Sequence, residues 1–170
     1  MARRMPPSTT AAQPLRLLAA DLEDIAVIAA CVQDAVLTIG DMGYDPKQRR
    51  FALVGNRFRW ESLPDRDSDA NFAGTEGGSA ERVRAGLHFN GVSSAQLQGF
   101  DQKDVSKVLN LLTVTAETGA EGAATITLVF AEGGLVRLQA ECIDAQLSDL
   151  GAPWATPNRP FHPLDAEGVE

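Results

Sequence analysis

Residues 82–92, RVRAGLHFNGV, place Val83, Ala85, Leu87 and Phe89 at every second position and Arg82, Arg84, His88 and Asn90 between them. Side chains alternate across a strand, so a period of two with apolar residues in one phase describes a strand with one buried and one wetted face. The pattern returns at 124–131, ATITLVFA, where Ile126, Leu128 and Phe130 share a phase. It returns again at 135–142, where Val136, Leu138, Ala140 and Cys142 do. Segments that each hide only one face must hide it against one another. A strand-dominated antiparallel sheet follows, because the linking segments are too short for parallel crossovers.

Two stretches carry helical spacing instead. Asp21 precedes Leu22, Ile25, Ile28, Ala29 and Val32, with Asp24 three residues after the cap. This predicts a helix over 22–33 that covers a face or an open end of the sheet. Asp144, Leu147, Leu150 and Gly151, with Pro153 beyond, read as a short capped helix after the last strand.

Between these, strands are expected at 35–44, with a bend at Gly40–Gly43, and at 49–60 after a turn at 45–48. Within 49–60, Phe51 and Leu53 are in one phase and Phe58 and Trp60 in the other. A bulge at Gly55-Asn56 would bring both pairs to one core. Further strands are expected at 95–100 and toward the end of 108–118, whose start is also compatible with a helix. The expected class is α+β: about seven antiparallel strands curled as a small barrel or packed as a sandwich, with an N-terminal helix and a short C-terminal one. This element order is like that of the pleckstrin-homology barrel.

Composition sets the boundaries. Residues 1–14 are poor in large apolar side chains and are expected to be a disordered tail. Residues 15–152 form a single globular domain. Residues 62–81 are polar, Gly-rich and aperiodic, as in a mobile loop. Residues 153–170 form a Pro-rich extended tail with Trp154 and Phe161 as anchors. Arg3 and Arg4 are followed by PPSTTAAQP rather than an apolar run, so a secretory signal is not expected and the cytoplasm is.

The net charge is −8, distributed as 11 basic and 12 acidic residues in 1–100 but 4 and 11 in 101–170. An acidic chain argues against nucleic-acid partners, whose phosphates need cationic neutralisation. No apolar run suits a membrane. Cys31 and Cys142 lie in apolar patterns without a CxxC neighbourhood and read as reduced, buried thiols.

No catalytic constellation stands out. The Gly-rich segments match neither a P-loop nor a dinucleotide fingerprint, and there is no GxSxG. Arg57, Arg59, Arg82 and Arg84, with Arg49 and Arg50 nearby, fall on two strand segments that can be neighbours. Arginine forks recognise carboxylates and phosphates, so these four and His88 form a candidate anion-binding set. Glu141, Asp144 and Asp149 crowd the last junction but read as a cap and solvent-facing acids. His162 lies in the tail. No metal and no cofactor is expected. The partners expected are another protein or a second copy of the chain.

The blocks LEDIAVIAACVQDAVLTIGDM, DPKQRRFALVGNRFRWE and ECIDAQLSDLGAPW resemble a family of uncharacterised alphaproteobacterial proteins of unknown function, over residues 15–163. The resemblance implies a bacterial cytoplasmic protein of one domain and supplies no activity. On the residues themselves, the leading expectation is a non-enzymatic protein-binding or scaffold domain that uses a sheet edge or groove. The alternative is an anionic-metabolite binder or enzyme built on the arginines.

Overall fold

A computed structural model describes residues 13–62, 80–157 and 160. The expected tail over 1–14, the loop over 62–81, His162 and the Phe161 anchor lie wholly or mostly outside the described residues.

Strand β1 (Arg16–Ala19) leads into helix α1 (Leu22–Val32). Asp21 caps α1 by accepting from the Asp24 amide at 2.8 Å, and the Asp24 carboxylate reaches back to the Ala20 amide at 2.9 Å. Ile25, Ile28 and Val32 form its buried stripe. The helix ends where Asp34 adopts φ 62°, a left-handed conformation that aspartate tolerates better than most residues. Strands β2 (Ala35–Thr38) and β3 (Met42–Asp45) follow, joined by a single 3-10 turn over Ile39–Asp41. The Asp41 carboxylate holds that turn, accepting from Thr38 N at 2.9 Å and Thr38 Oγ1 at 2.8 Å. These bonds favour the ionised form and hold the Asp41 pKa below the usual carboxylate range.

Apart from short 3-10 turns and loops, the rest of the described residues form strands: β4 (Arg50–Phe58), β5 (Glu81–Phe89), β6 (Val92–Gln98), β7 (Val108–Thr118), β8 (Ala124–Phe130), β9 (Leu135–Ala140), β10 (Ala145–Asp149) and β11 (Trp154–Ala155). They make one antiparallel sheet of eleven strands in the order β1-β10-β5-β4-β2-β7-β8-β9-β6, with β3 paired to β4 and β11 to β5. The sheet has two runs. One is β1-β10-β5-β4 with its attachments, the other β2-β7-β8-β9-β6, and only the Val36–Asn56 bridge joins β2 to β4. Both runs turn their apolar faces onto one core, which contains Phe51, Leu87 and Phe89 from the first and Leu111, Ile126, Leu128 and Leu138 from the second. Helix α1 packs mainly on β7, and also on β1 and β4. None of the described helices is long and apolar enough to cross a membrane.

Several expectations are corrected. Among the described residues the sheet has eleven strands rather than about seven, and it does not close: β1 and β6 stand at its two ends. The pleckstrin-homology order fails at its defining element, because residues 145–149 are strand β10 and not a helix. Ala145, Leu147 and Asp149 point inward with period two, and β10 pairs with both β1 and β5. Two partners offer a ladder on each side, which outweighs one helical turn with a good cap. Cys142 is exposed, and Ile143 occupies the core instead, because the strand phase breaks after Ala140.

The bulge expected in β4 is also absent. Its register against β5 runs without a shift from Phe51–Phe89 to Phe58–Arg82. Phe58 therefore faces outward, where Trp60 covers it with ring centroids 4.6 Å apart. Gly55 serves another purpose: a Cβ there would lie 3.1 Å from Val36 O and 3.3 Å from Leu37 Cβ, so its missing side chain lets β2 cross close over β4. Register shifts occur instead in β6, between Val92 and Ser94, and in β7, between Leu111 and Thr113. The shift in β7 changes the buried phase from Leu109 and Leu111 to Val114.

Candidate functional site

The five residues singled out from the sequence do not converge. The β4–β5 register divides them between two faces of the sheet.

Arg57 continues the inward phase of Phe51, Leu53 and Gly55, so its side chain enters the interior, with 1% of its surface exposed. Its Nε donates to Asp149 Oδ1 at 2.8 Å and its Nη2 to Asp149 Oδ2 at 3.0 Å. Nη2 also donates to Glu61 Oε1 at 2.6 Å, and Nη1 to Glu61 Oε2 at 3.0 Å and to Phe58 O at 3.4 Å. A guanidinium has five N–H donors, and each finds an acceptor here. An external anion would have to displace a carboxylate. The Asp149 side chain is 4% exposed and takes a third bond, from the Leu15 amide at 2.8 Å, which fixes the start of β1. Burial alone would lower the Arg57 pKa, but its hydrogen bonds to both carboxylates outweigh this and raise it. Glu61 shows the complementary balance: burial opposes its charge, the bonds from Arg57 outweigh it, and its pKa is lowered.

Arg59 donates to the Glu81 carboxylate and lies 3.8 Å from Glu61. With Asp149 it lines a pocket of about 480 Å³ walled by Val83, Leu150 and Pro153. Among the described residues, two arginines thus meet three carboxylates. Half-buried Cys31 lies close enough to sense the cluster. Burial raises its thiol pKa, and the Arg57 charge only partly offsets that, so it remains a neutral thiol at pH 7.

Arg82, Arg84 and His88 face outward on β5. Arg82 ties the exit of α1 to β4, donating through Nη1 to Asp34 O and Asn56 O, both at 3.2 Å. Its guanidinium lies 5.7 Å from the Phe58 ring centre. Burial lowers its pKa, and the Asp34 charge opposes this. Trp60 Nε1 completes the corner by donating to Gln33 O at 3.0 Å. The Arg84 side chain is exposed and makes no hydrogen bond or ion pair with another described residue, while its backbone carbonyl accepts from the Leu150 amide at 2.8 Å. Of the flanking pair, Arg49 bridges to Glu141 at 2.7 Å, and Arg50 Nε donates to Asn90 Oδ1 at 2.9 Å. Glu141, Asp144 and Asp149 are thus dispersed, and the described residues hold no cluster able to ligate a metal.

His88 lies between Ala52 and Gln146 in the sheet. Burial lowers its pKa, the Arg50 charge adds to this, and Asp144 pulls weakly the other way. A base with a depressed pKa contributes stability that is present above its unfolded value, about 6.5, and lost as pH falls through the folded value. His88→Gln is therefore expected to lose less stability than the parent between pH 7 and pH 5 in urea titrations. Parallel pH profiles would disprove the assignment.

A second feature lies at the far end of β4. The edge of β3 away from β4 and the edge of β6 away from β9 have no strand partner among the described residues. They are pinned together at one point, where Val92 N donates to Arg49 O at 2.8 Å and Tyr44 Oη donates to Val92 O at 2.9 Å. Beyond that pin, Met42 and Tyr44 of β3 and Leu97 of β6 line a groove of about 370 Å³ with Ile39, Phe51 and Val105.

Taken together, these features define an antiparallel β domain with an open sheet, one plugging helix, one internal ion cluster and one unsealed seam. The family model that matches residues 15–162 is described as a protein of unknown function, DUF2948, and the chain belongs to that family. The matched span agrees closely with the resemblance seen in the sequence blocks. No curated protein and no solved structure matches the chain.

Proposed function

We propose that this domain is a non-enzymatic protein-binding module of the bacterial cytoplasm that receives an extended segment of another protein at the β3–β6 seam. One observation carries the reading: two strand edges without a strand partner among the described residues flank a groove lined in part by Ile39, Met42, Phe51 and Leu97. A strand laid there gains backbone hydrogen bonds from the free edge and directs alternate side chains into the groove. The β6 sequence, VSSAQLQ, supports it. Exposed edges are commonly guarded by charge or proline, and this one carries neither. Two unpaired cysteines suit a reducing compartment.

The test is site-specific photo-crosslinking in cells of a native host. A photoreactive residue at position 97 is expected to give a discrete adduct with another protein. The same residue at Thr127, on the outward phase of β8, is expected to give none. Adducts of equal yield at both positions, or none at 97, would overturn the proposal. An adduct of twice the chain's own mass would reassign the seam to a dimer.

A further inference from the structure

The register of the first run fixes what its outer face displays. Arg16 and Leu18 come from β1, and Gln146 and Ser148 from β10. Arg82, Arg84, Gly86 and His88 come from β5, and Arg50, Ala52, Val54 and Asn56 from β4. Asp45 of β3 lies opposite Arg50. Four arginines thus share a strand face with one aspartate, in a chain whose net charge is −8. The Asp45 carboxylate is already taken by the Lys47 and Gln48 amides of the turn. Asp41 and Asp144 lie close enough for their charges to bear on Arg84 and His88, and the Asp41 carboxylate is held by Thr38.

The same face exposes large apolar side chains. Leu18 is 69% exposed, Leu150 56% and Trp154 41%. Trp154 is in register with Arg82, and Leu150 lies over Gly86, 3.4 Å from where a Cβ would stand. Small side chains, Ser148 and Ala52, lie in register beside Gly86 and His88 on this face. Isolated exposed leucines are ordinary, but here two leucines and a tryptophan alternate with arginines on one surface. Tryptophan and arginine are the side chains enriched where proteins bind proteins.

We propose that this outer face docks an acidic segment of another protein, with its carboxylates on Arg16 and Arg84 and its apolar side chains against Leu18, Leu150 and Trp154. The sign of the charge selects an acidic occupant, and the apolar side chains between the arginines select a peptide over a phosphate backbone. This surface is distinct from the β3–β6 seam, and neither proposal depends on the other.

The experiment is a backbone amide NMR titration of the full chain with a synthetic peptide of alternating Glu-Glu and Leu-Leu pairs. A Lys-Lys/Leu-Leu peptide, duplex DNA and vesicles of equal phosphatidylcholine and phosphatidylserine serve as separate arms. The acidic peptide is expected to shift the amides of β1, β10, β5 and Trp154, with affinity falling as salt rises. Arg16→Ala with Arg84→Ala is expected to weaken it by roughly fivefold or more, two exposed charge pairs being worth about that. Both arginines are exposed, so the unperturbed spectrum should confirm the fold. Absence of shifts on this face, equal response to the lysine peptide, or stronger binding of DNA or vesicles would overturn the proposal. So would a concentration-dependent self-association that Arg84→Glu abolishes, which would assign the face to a second copy.

Discussion

Arg57→Met is expected to destabilise the fold by about 3–5 kcal/mol, the range found when one partner of a buried ion pair is removed. The substitution keeps most of the side-chain volume, so the loss is electrostatic. Asp149, 4% exposed, would keep only the Leu15 amide as a donor. Glu61 is 39% exposed and can turn to water, so Glu61→Gln should cost much less. The double variant Arg57→Met with Asp149→Leu should recover much of the loss, because no unpaired charge remains inside. Urea denaturation of the parent, Arg57→Met, Asp149→Leu and the double variant closes the cycle. A cost below about 1 kcal/mol for Arg57→Met would mean that the cluster behaves as a solvated surface pair. The cluster should also show in acid. Glu61 has a lowered folded pKa, so its contribution is complete above the unfolded value near 4.3 and is lost as pH falls through the folded one. Stability should drop below about pH 4.3, and less steeply in Arg57→Met.

Gly55→Val is expected to cost about 1–3 kcal/mol, as overpacking a close approach does. A Cβ at this position meets a backbone carbonyl at 3.1 Å, and β2 can retreat only by straining the Val36–Asn56 bridge. That bridge is the one backbone pairing between the two runs of the sheet at β2. The readout is therefore local as well as global: hydrogen exchange should quicken at Val36 and Asn56 before it does in β8. Gly43→Val is the control, since nothing lies within 4 Å of the added atom. Equal effects at the two glycines would show that strand propensity, not the crossing, is being measured.

These two positions show how far the sequence could be read. The alternation in β5, β8 and β9 was legible because each strand buries one face and a period of two leaves no other element. Helix α1 was legible from its cap and stripe. Arg57 departs from expectation because β4 has no bulge at Gly55 to bring Phe58 inward. Without the bulge, the same alternation puts an arginine on the core face of β4. Asp149 likewise falls on the inward phase of β10, and a buried charge in each strand demands a partner. That signal is present in the sequence of β4, but in 145–149 it arises only once the segment is a strand. Their pairing across 92 residues was not legible, because it depends on which strands lie adjacent.

The candidate site divides in the same way. Arg82, Arg84 and His88 alternate on one strand, so their shared outward face followed from the sequence. That Arg16 joins them followed only from β1 pairing with β10 and β10 with β5. The β3–β6 seam had no local sign either, since an unpaired edge is a property of the whole sheet order.

By itself, then, the sequence determined the strand-rich antiparallel class, the capped N-terminal helix and the inward phase of most strands. These depend on side chains within a few residues of one another. The tertiary structure alone decided that residues 145–149 become a strand, because two neighbouring ladders outweigh a good helix cap. It also decided that the sheet stays open and that the arginines part company, because strand order and register fix which distant side chains share a face.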